Sequence, residues 1–192
     1  MHRHRHRASL LAVSLVVGLS ACASSMPGPA STSAPAATKS MAKAATANLA
    51  SASGSRVSGR LALMPMGDGV HLMGDIGGLS PGSSHGFHVH EKGDCSAADA
   101  ASAGGHFNPA AQPHGRAGQG AHHAGDADNL MANASGVAKV NVHLRGVSLG
   151  GGAANDIAGR AVVVHAVADD YRSQPAGNAG ARVACGVISV VR

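Results

Sequence analysis

Short apolar segments that end at glycine-rich turns are the feature that most constrains the fold of this chain. Across residues 57–64, valine and leucine side chains recur on one face of an extended chain, which is the pattern of a half-buried strand. The turn Gly67-Asp68-Gly69 follows, and a second apolar run occupies residues 70–76. Two such runs joined by a tight turn predict a β-hairpin.

The rest of the chain repeats this pattern. Further apolar or alternating segments lie at residues 86–90, 138–144, 161–165 and 183–191. With two phenylalanines, one tyrosine and no tryptophan, the core must be aliphatic. Many short strands between glycine-rich turns predict an all-β fold, an antiparallel sandwich or a closed barrel.

Two long connections, residues 91–134 and 166–182, separate these segments. Connections of that length without secondary structure are uncommon in a compact domain and are usually functional. We therefore expect the site of this protein to lie on these two loops and on the strands that flank them.

The first 22 residues have the organisation of an export signal. A basic segment, Met1–Arg7, precedes an apolar run, Leu10–Leu19, and small residues follow. The ending Leu19-Ser20-Ala21-Cys22 resembles a bacterial lipobox, which predicts a signal peptide at residues 1–21 and lipid on Cys22. That form would be membrane-anchored in the periplasm, and Ala23 favours the outer membrane. The alternative is an ordinary secretory signal that is cleaved nearby.

Residues 22–54 predict a flexible tether. The segment is rich in alanine, serine, threonine and proline, and Lys39 and Lys43 are its charged residues. An alanine-rich helix over residues 39–52 would be marginal in isolation. The folded domain is therefore predicted at residues 55–192.

The charge of the chain does not indicate a nucleic-acid partner. The formal net charge is +5, but removal of the signal peptide leaves 12 basic against 10 acidic residues. No basic cluster interleaved with aromatic residues remains, so nucleic-acid binding is not expected. If Cys22 carries lipid, Cys95 and Cys185 are left as one pair in an oxidising compartment.

Histidines concentrate in and beside the long loops. His88 and His90 occupy alternate positions of a predicted strand, so their side chains share one face. His165 ends another predicted strand and could supply a third ligand. Neutral imidazole suits copper and zinc, so these residues predict part of a copper site.

The first loop adds three imidazoles and a carboxylate, the ligand set of a tetrahedral zinc site. The candidates are His106, His114, His123 and Asp126. His122 adjoins His123, and the His-x-x-Asp spacing selects His123. The remaining histidines of the domain are predicted to be structural or solvated: His71, His85 and His143.

Several runs of residues together match a known family. They are Gly86-Phe87-His88-Val89-His90-Glu91, Gly105-His106-Phe107-Asn108-Pro109, His123 to Asp126, Val164-His165 and Gly177 to Gly186. Over residues 55–192 the chain resembles the copper/zinc superoxide dismutases of bacterial envelopes. The resemblance implies an eight-stranded Greek-key β-barrel.

The resemblance also implies roles for individual residues. Copper would be bound by His88, His90, His106 and His165. Zinc would be bound by His106, His114, His123 and Asp126. Asp169 would bond a histidine of each metal and fix its orientation. Cys95 and Cys185 would form the family disulfide, and Arg182 would guide the substrate anion.

The activity implied by the resemblance is dismutation of superoxide to oxygen and hydrogen peroxide. Copper would cycle between two oxidation states, zinc would be structural, and His106 would deliver a proton. The enzyme would protect the cell envelope. Strand periodicity does not decide between a monomer and a homodimer.

Two other functions fit parts of the pattern. A metal-binding module without turnover would be favoured if His106 or Arg182 were missing, but both are present. A zinc hydrolase needs an open zinc position and a nearby base. Three histidines and an aspartate fill the zinc shell, so this alternative is disfavoured.

Overall fold

The structure, a computed structural model, describes residues 42–191. Nine strands and one short 3₁₀ helix, Ala101–Ala103, make up its regular structure over that range. The strands are β1 Ala45–Ser51, β2 Ser58–Met66, β3 Gly69–Gly77, β4 Ser84–His85, β5 Phe87–His90, β6 Leu130–Met131, β7 Ala138–Arg145, β8 Ala161–His165 and β9 Arg182–Val190. The all-β prediction is confirmed.

Seven of the strands form one antiparallel sheet in the order β5-β8-β9-β1-β2-β3-β7. The two-residue strands β4 and β6 form a separate ladder. One core cluster contains buried aliphatic side chains from all seven strands of the sheet. The sheet therefore curls around a single core as a half-barrel.

The hairpin predicted around residues 57–76 is confirmed. β2 and β3 pair in register from Ser58 opposite Gly77 to Met66 opposite Gly69. Leu61 and Leu63 on β2 are fully buried, as are Val70 and Leu72 on β3. The alternate positions of both strands form the outer face of the sheet, as period-two alternation requires.

The prediction of a flexible tether through residue 54 is wrong for its last part. Ala45–Ser51 forms β1, which pairs with both β2 and β9. Its inward residues Ala45, Ala47 and Leu49 are buried. Alanine supplies most of this buried face, so the segment shows little apolar periodicity in the sequence. Pairing with a strand on each edge satisfies the backbone hydrogen bonds of β1. The domain therefore begins before residue 55, and the marginal helix does not form at residues 45–51.

The predictions of a signal peptide, of lipid on Cys22 and of a tether over residues 22–41 concern residues outside those that the structure describes. Within residues 42–191, no helix is long and apolar enough to cross a membrane.

The two long loops run over one edge of the sheet. Backbone hydrogen bonds join the first loop to β5: Phe107 N donates to Val89 O at 2.8 Å, and Val89 N donates to Gly125 O at 2.8 Å. Isolated bridges pair His90 with His106 and His88 with Asp126. The first loop is thereby laid along β5, which brings its histidines beside those of the strand.

Candidate metal centre

The structure gathers the predicted ligands into two groups that share His106. The four-histidine group consists of His88, His90, His106 and His165. The histidine–aspartate group consists of His106, His114, His123 and Asp126. In each group the ligating atoms lie within 4.8 Å of one another, and all seven residues are buried.

The four-histidine group is built mainly on two neighbouring strands. β5 carries His88 and His90, and it pairs with β8, which ends at His165. The pairing of β8 with β9 shifts register between Val164 and His165, where β8 ends. Phe87 and Val89, which alternate with the two histidines, belong to the hydrophobic core. The core on one face of β5 therefore fixes the direction of the imidazoles on the other.

Each strand imidazole has one nitrogen engaged and the other turned towards its partners. His90 Nδ1 lies 2.9 Å from Gly104 O, and His165 Nδ1 lies 3.3 Å from Gly180 O. Carbonyls accept only, so both Nδ1 atoms carry the proton and both Nε2 atoms carry a lone pair. These Nε2 atoms are 3.3 Å apart. Two facing lone pairs at this distance suit a shared cation.

Two more nitrogens complete the four-histidine group. His88 Nδ1 and His106 Nε2 are buried and have no hydrogen-bond partner. A buried polar atom without a partner is costly, and in native proteins it usually marks a function or a missing ion. The donor set of four imidazole nitrogens is one that copper accepts. The residues therefore fit a copper ion.

The histidine–aspartate group converges on the carboxylate of Asp126. Its Oδ1 lies 2.8 Å from His106 Nδ1, 3.1 Å from His114 Nδ1 and 3.3 Å from His123 Nδ1. Its Oδ2 accepts the backbone N–H groups of His123 at 2.9 Å and Gly115 at 3.2 Å. Three imidazole nitrogens and one carboxylate oxygen match tetrahedral zinc.

Asp169 connects the two groups through a hydrogen bond to one histidine of each. Its Oδ2 lies 2.8 Å from His88 Nε2, and its Oδ1 lies 3.0 Å from His114 Nε2. The carboxylate accepts the N–H of each ring, which leaves the lone pair of each Nδ1 directed into its own group. A Cβ on Gly177 would collide with Asp169, so only glycine fits beside the carboxylate.

Burial keeps the imidazoles neutral. It lowers the pKa of His90 to about 2, that of His165 to about 3 and that of His106 to about 4. The hydrogen bonds from His106 and His123 outweigh the opposing effect of burial and lower the pKa of Asp126. Neutral imidazoles beside an ionised carboxylate are the protonation states that metal binding requires.

Arg182, the first residue of β9, lies at the entrance to the four-histidine group. A cavity of about 470 Å³ is lined by Arg182 together with His90, His106 and His165. The guanidinium is fixed by Nη1, which donates to Ala100 O at 2.6 Å, and by Nη2, which donates to Gly104 O at 2.6 Å. A small anion that enters this cavity therefore meets a positive charge beside the imidazoles.

The predicted disulfide is present between Cys95 and Cys185, with an S–S distance of 2.01 Å and a sequence separation of 90. Cys95 lies near the start of the first loop, and Cys185 lies in β9. The bond therefore ties the loop that carries four of the ligands to the sheet.

The other histidines lie outside both groups. His122 is half-buried and its Nδ1 is 3.0 Å from Gly120 O, whereas His123 is buried in the histidine–aspartate group. His85 is structural, because its Nδ1 is 2.8 Å from His165 O. His143 is not simply solvated: its Nε2 is 2.7 Å from Asp68 Oδ1.

Sequence reasoning missed two residues that position the site. Asn129 Oδ1 accepts the N–H of Asp169 at 2.8 Å, and Asn129 Nδ2 donates to Asp169 O at 2.9 Å. Gln174 accepts the N–H of His114 at 2.8 Å and donates to its carbonyl at 2.9 Å. Each amide clamps the backbone of a distant loop residue, and no local pattern signals such a contact.

Comparison with known proteins gives the same family throughout. The family model described as copper/zinc superoxide dismutase (SODC) matches residues 57–188. The copper/zinc superoxide dismutase 2 of Aquifex aeolicus is 41% identical over 135 residues, which cover 69% of this chain and 79% of that protein. The copper/zinc superoxide dismutase of Caulobacter vibrioides is 42% identical over 142 residues, which cover 71% of this chain and 81% of that protein.

A solved structure supports the fold. The crystal structure of the clock protein EA4 matches with a TM-score of 0.70 and 38% identity, and the match covers 79% of this chain and 97% of that one. The family uses copper and zinc, and the two ligand groups fit these ions. The chain belongs to the copper/zinc superoxide dismutase family.

Proposed function

We propose that this protein dismutates superoxide to oxygen and hydrogen peroxide at a copper bridged through His106 to zinc. Copper would be held by the four-histidine group and zinc by the histidine–aspartate group. The observation that carries the proposal is the position of His106. Its Nδ1 faces Asp126 at 2.8 Å, and its Nε2 is a buried nitrogen without a partner in the other group.

When bound, copper supplies a one-electron couple that accepts an electron from one superoxide and returns it to the next. The residues of this chain prepare the place for that exchange. Arg182 attracts the anion into the cavity, because field lines focus in a cleft of one sign of charge. Asp169 and two backbone carbonyls fix the imidazole tautomers, so little rearrangement is needed.

His106 also has a place in proton transfer. Its ring lines the cavity that Arg182 also lines. A proton held at Nε2 would face that cavity, where it would pass to a more basic product such as the peroxide anion. Zinc bound by Nδ1 together with Asp126 would keep the ring in place during this transfer.

The test is the dismutation rate of the full chain loaded with one copper and one zinc. We expect rapid, copper-dependent turnover that falls by at least about 100-fold in His106→Ala, the lower end of what a positioned proton donor contributes. His122→Ala, which removes a half-buried histidine of the same loop that belongs to neither ligand group, is the matched control and should leave the rate unchanged. Stoichiometric binding of both metals without turnover would identify a metal-binding module instead.

We also propose that the enzyme acts in the bacterial periplasm, where lipid on Cys22 anchors it to the outer membrane and it protects the envelope from superoxide. The Leu19 to Cys22 run and the following Ala23 support this location. Cells fed labelled palmitate should label the protein, and Cys22→Ala should abolish the label. Labelling that persists in Cys22→Ala, or recovery of the wild-type protein free of membranes, would contradict it.

A further inference from the structure

The outer face of the sheet carries a row of three potential metal ligands that belong to neither group. Met64 on β2 pairs with His71 on β3, and His71 pairs with His143 on β7. Residues that pair directly in an antiparallel ladder share a face, with Cβ atoms about 4.5–5.5 Å apart. A thioether and two imidazoles are therefore aligned across three neighbouring strands.

Both imidazoles of this row have a buried nitrogen without a hydrogen-bond partner, His71 Nδ1 and His143 Nδ1. Among residues 42–191, the other two side-chain nitrogens in this condition are His88 Nδ1 and His106 Nε2 of the four-histidine group. The row therefore shares the feature that marks the metal centre itself.

A carboxylate orients one of these rings as in a metal site. Asp68 Oδ1 accepts the N–H of His143 Nε2 at 2.7 Å, which leaves the lone pair on Nδ1. Asp68 Oδ2 accepts a hydrogen bond from Arg145 Nη1 at 2.6 Å, so the positive charge of Arg145 is paired. Asp169 orients His88 in the same way at 2.8 Å.

The spacing and exposure of the row also suit an ion from solution. The ring centroids of His71 and His143 are 6.1 Å apart, and pairs within the four-histidine group range from 3.9 to 6.5 Å. Met64 is 41% exposed, and the His143 side chain is 23% exposed. An ion can therefore reach the row without passing through the main cavity.

We propose that Met64, His71 and His143 form a third metal site, which binds one monovalent copper ion on the outer face of the sheet. Thioether and imidazole ligands together favour Cu(I) over harder cations. The site is independent of the dismutase activity proposed above, because it shares no residue with either ligand group and His143 contacts Asp68 and His71.

Anaerobic titration of the full chain tests this site. Protein already loaded with one zinc and one reduced copper is titrated with Cu(I) in competition with a chromogenic chelator. We expect one further equivalent to bind, with affinity at least about tenfold lower in His143→Gln. Met64→Leu should weaken Cu(I) but leave Zn(II) binding unchanged, and His122→Gln should change neither. His2, His4 and His6 of the basic N-terminal segment are present in every variant, so differences between variants report the outer face.

A second measurement keeps the test independent of how the variants fold. Cu(I) is diamagnetic, so the ring nitrogens of the wild-type protein can be followed by NMR during the titration. The Nδ1 signals of His71 and His143 should shift together as the third equivalent binds. Unchanged signals, or a third equivalent that survives His143→Gln at full affinity, would overturn the proposal.

Discussion

The two halves of the metal centre are held in place by different means. In the four-histidine group, three ligands lie on the paired strands β5 and β8. In the histidine–aspartate group, every ligand lies between residues 106 and 126, a stretch of loop without a strand. His106 belongs to both groups, so it joins a site built on a sheet to a site built on a loop.

The strand-built half takes its geometry from the core. The neighbours of its histidines, among them Phe87, Val89, Val162 and Val164, are almost fully buried. A shift of the register by one residue would move these side chains out of the core, so the hydrophobic core fixes the register. The copper ligands are therefore positioned before any ion binds.

The loop-built half takes its geometry from polar contacts and from one covalent bond. Asp126, Asn129 and Gln174 hold the loop through backbone hydrogen bonds, and Cys95 ties its start to β9. Each such bond contributes only about 1 kcal/mol net. The zinc half therefore depends more than the copper half on its metal, on its carboxylates and on the disulfide.

Among the substitutions, loss of the disulfide should have the largest effect on stability. In the double substitution Cys95→Ser and Cys185→Ser, we expect the free energy of unfolding of the metal-free protein to fall by about 4–5 kcal/mol, because a 90-residue loop is no longer closed in the unfolded chain. Urea denaturation of the oxidised wild type and the variant measures this. A fall below about 1 kcal/mol would mean that the loop is held without its covalent link.

Acidification should lower the free energy of unfolding of the metal-free protein. The pKa values of His90, His165 and His106 are about 2, 3 and 4 in the fold, whereas an unfolded histidine titrates near 6.5. Below pH 6.5 the unfolded chain therefore binds protons that the folded chain does not, so stability falls as pH falls. Each imidazole contributes about 1.4 kcal/mol per pH unit until its folded pKa is reached.

The carboxylates should add to this loss only at lower pH. The pKa values of Asp126 and Asp169 are lowered by their bonds to histidines, so their stabilisation is present above the ordinary aspartate pKa near 3.9 and is lost below it. Urea denaturation of the metal-free protein from pH 7.5 to 4.5 should show the histidine part. A flat profile over that range would contradict neutral burial of these rings.

Substitution of Asp126 should loosen the loop and spare the strands. In metal-free Asp126→Asn, amide protection at Phe107 and Gly125 should fall by about 10–100-fold, because buried hydrogen bonds worth about 1–3 kcal/mol are lost. Amides of β8 should keep their protection, as measured by hydrogen exchange. The matched control is Asp128→Asn, which alters an exposed carboxylate paired with Arg116. Equal loss in β8 would show that the halves are not separately supported.

Substitution of Asp169 should have a smaller effect, shared by both metals. Asp169→Asn removes an acceptor that orients His88 and His114, so the affinity for copper and for zinc should each fall by about 10–100-fold. Competition with chelators measures both affinities. Asp170→Asn, which changes the exposed neighbour that bonds Ser173, is the control. Loss of zinc affinity alone would mean that Asp169 supports only the loop-built half.

The sequence predicted the strand half better than the loop half for a physical reason. The alternation of His88 and His90 with Phe87 and Val89 along β5 reflects the two faces of a strand, so it is visible locally. The His-x-x-Asp spacing selected His123 over His122, because the carboxylate three residues on reaches back to the backbone and ring of His123. The resemblance to a family, rather than spacing, assigned His106 to both groups and Asp169 to the site.

Other features depend on contacts that local sequence does not encode. β1 is a strand because it lies between β2 and β9, although its buried face is mostly alanine. The clamps made by Asn129 and Gln174 span 40 and 60 residues in sequence. Such pairs become visible only when the two loops are folded against each other.

The most direct test of the shared histidine is the magnetic coupling between two copper ions bound at once. Protein loaded with Cu(II) in both groups should lose most of its paramagnetic resonance signal, because one imidazole, His106, contacts both ions and couples their spins. Protein with copper in one group and zinc in the other should show the full signal of one ion. Two independent, full-strength copper signals in the doubly loaded protein would contradict a shared histidine and, with it, the union of the strand-built and loop-built halves.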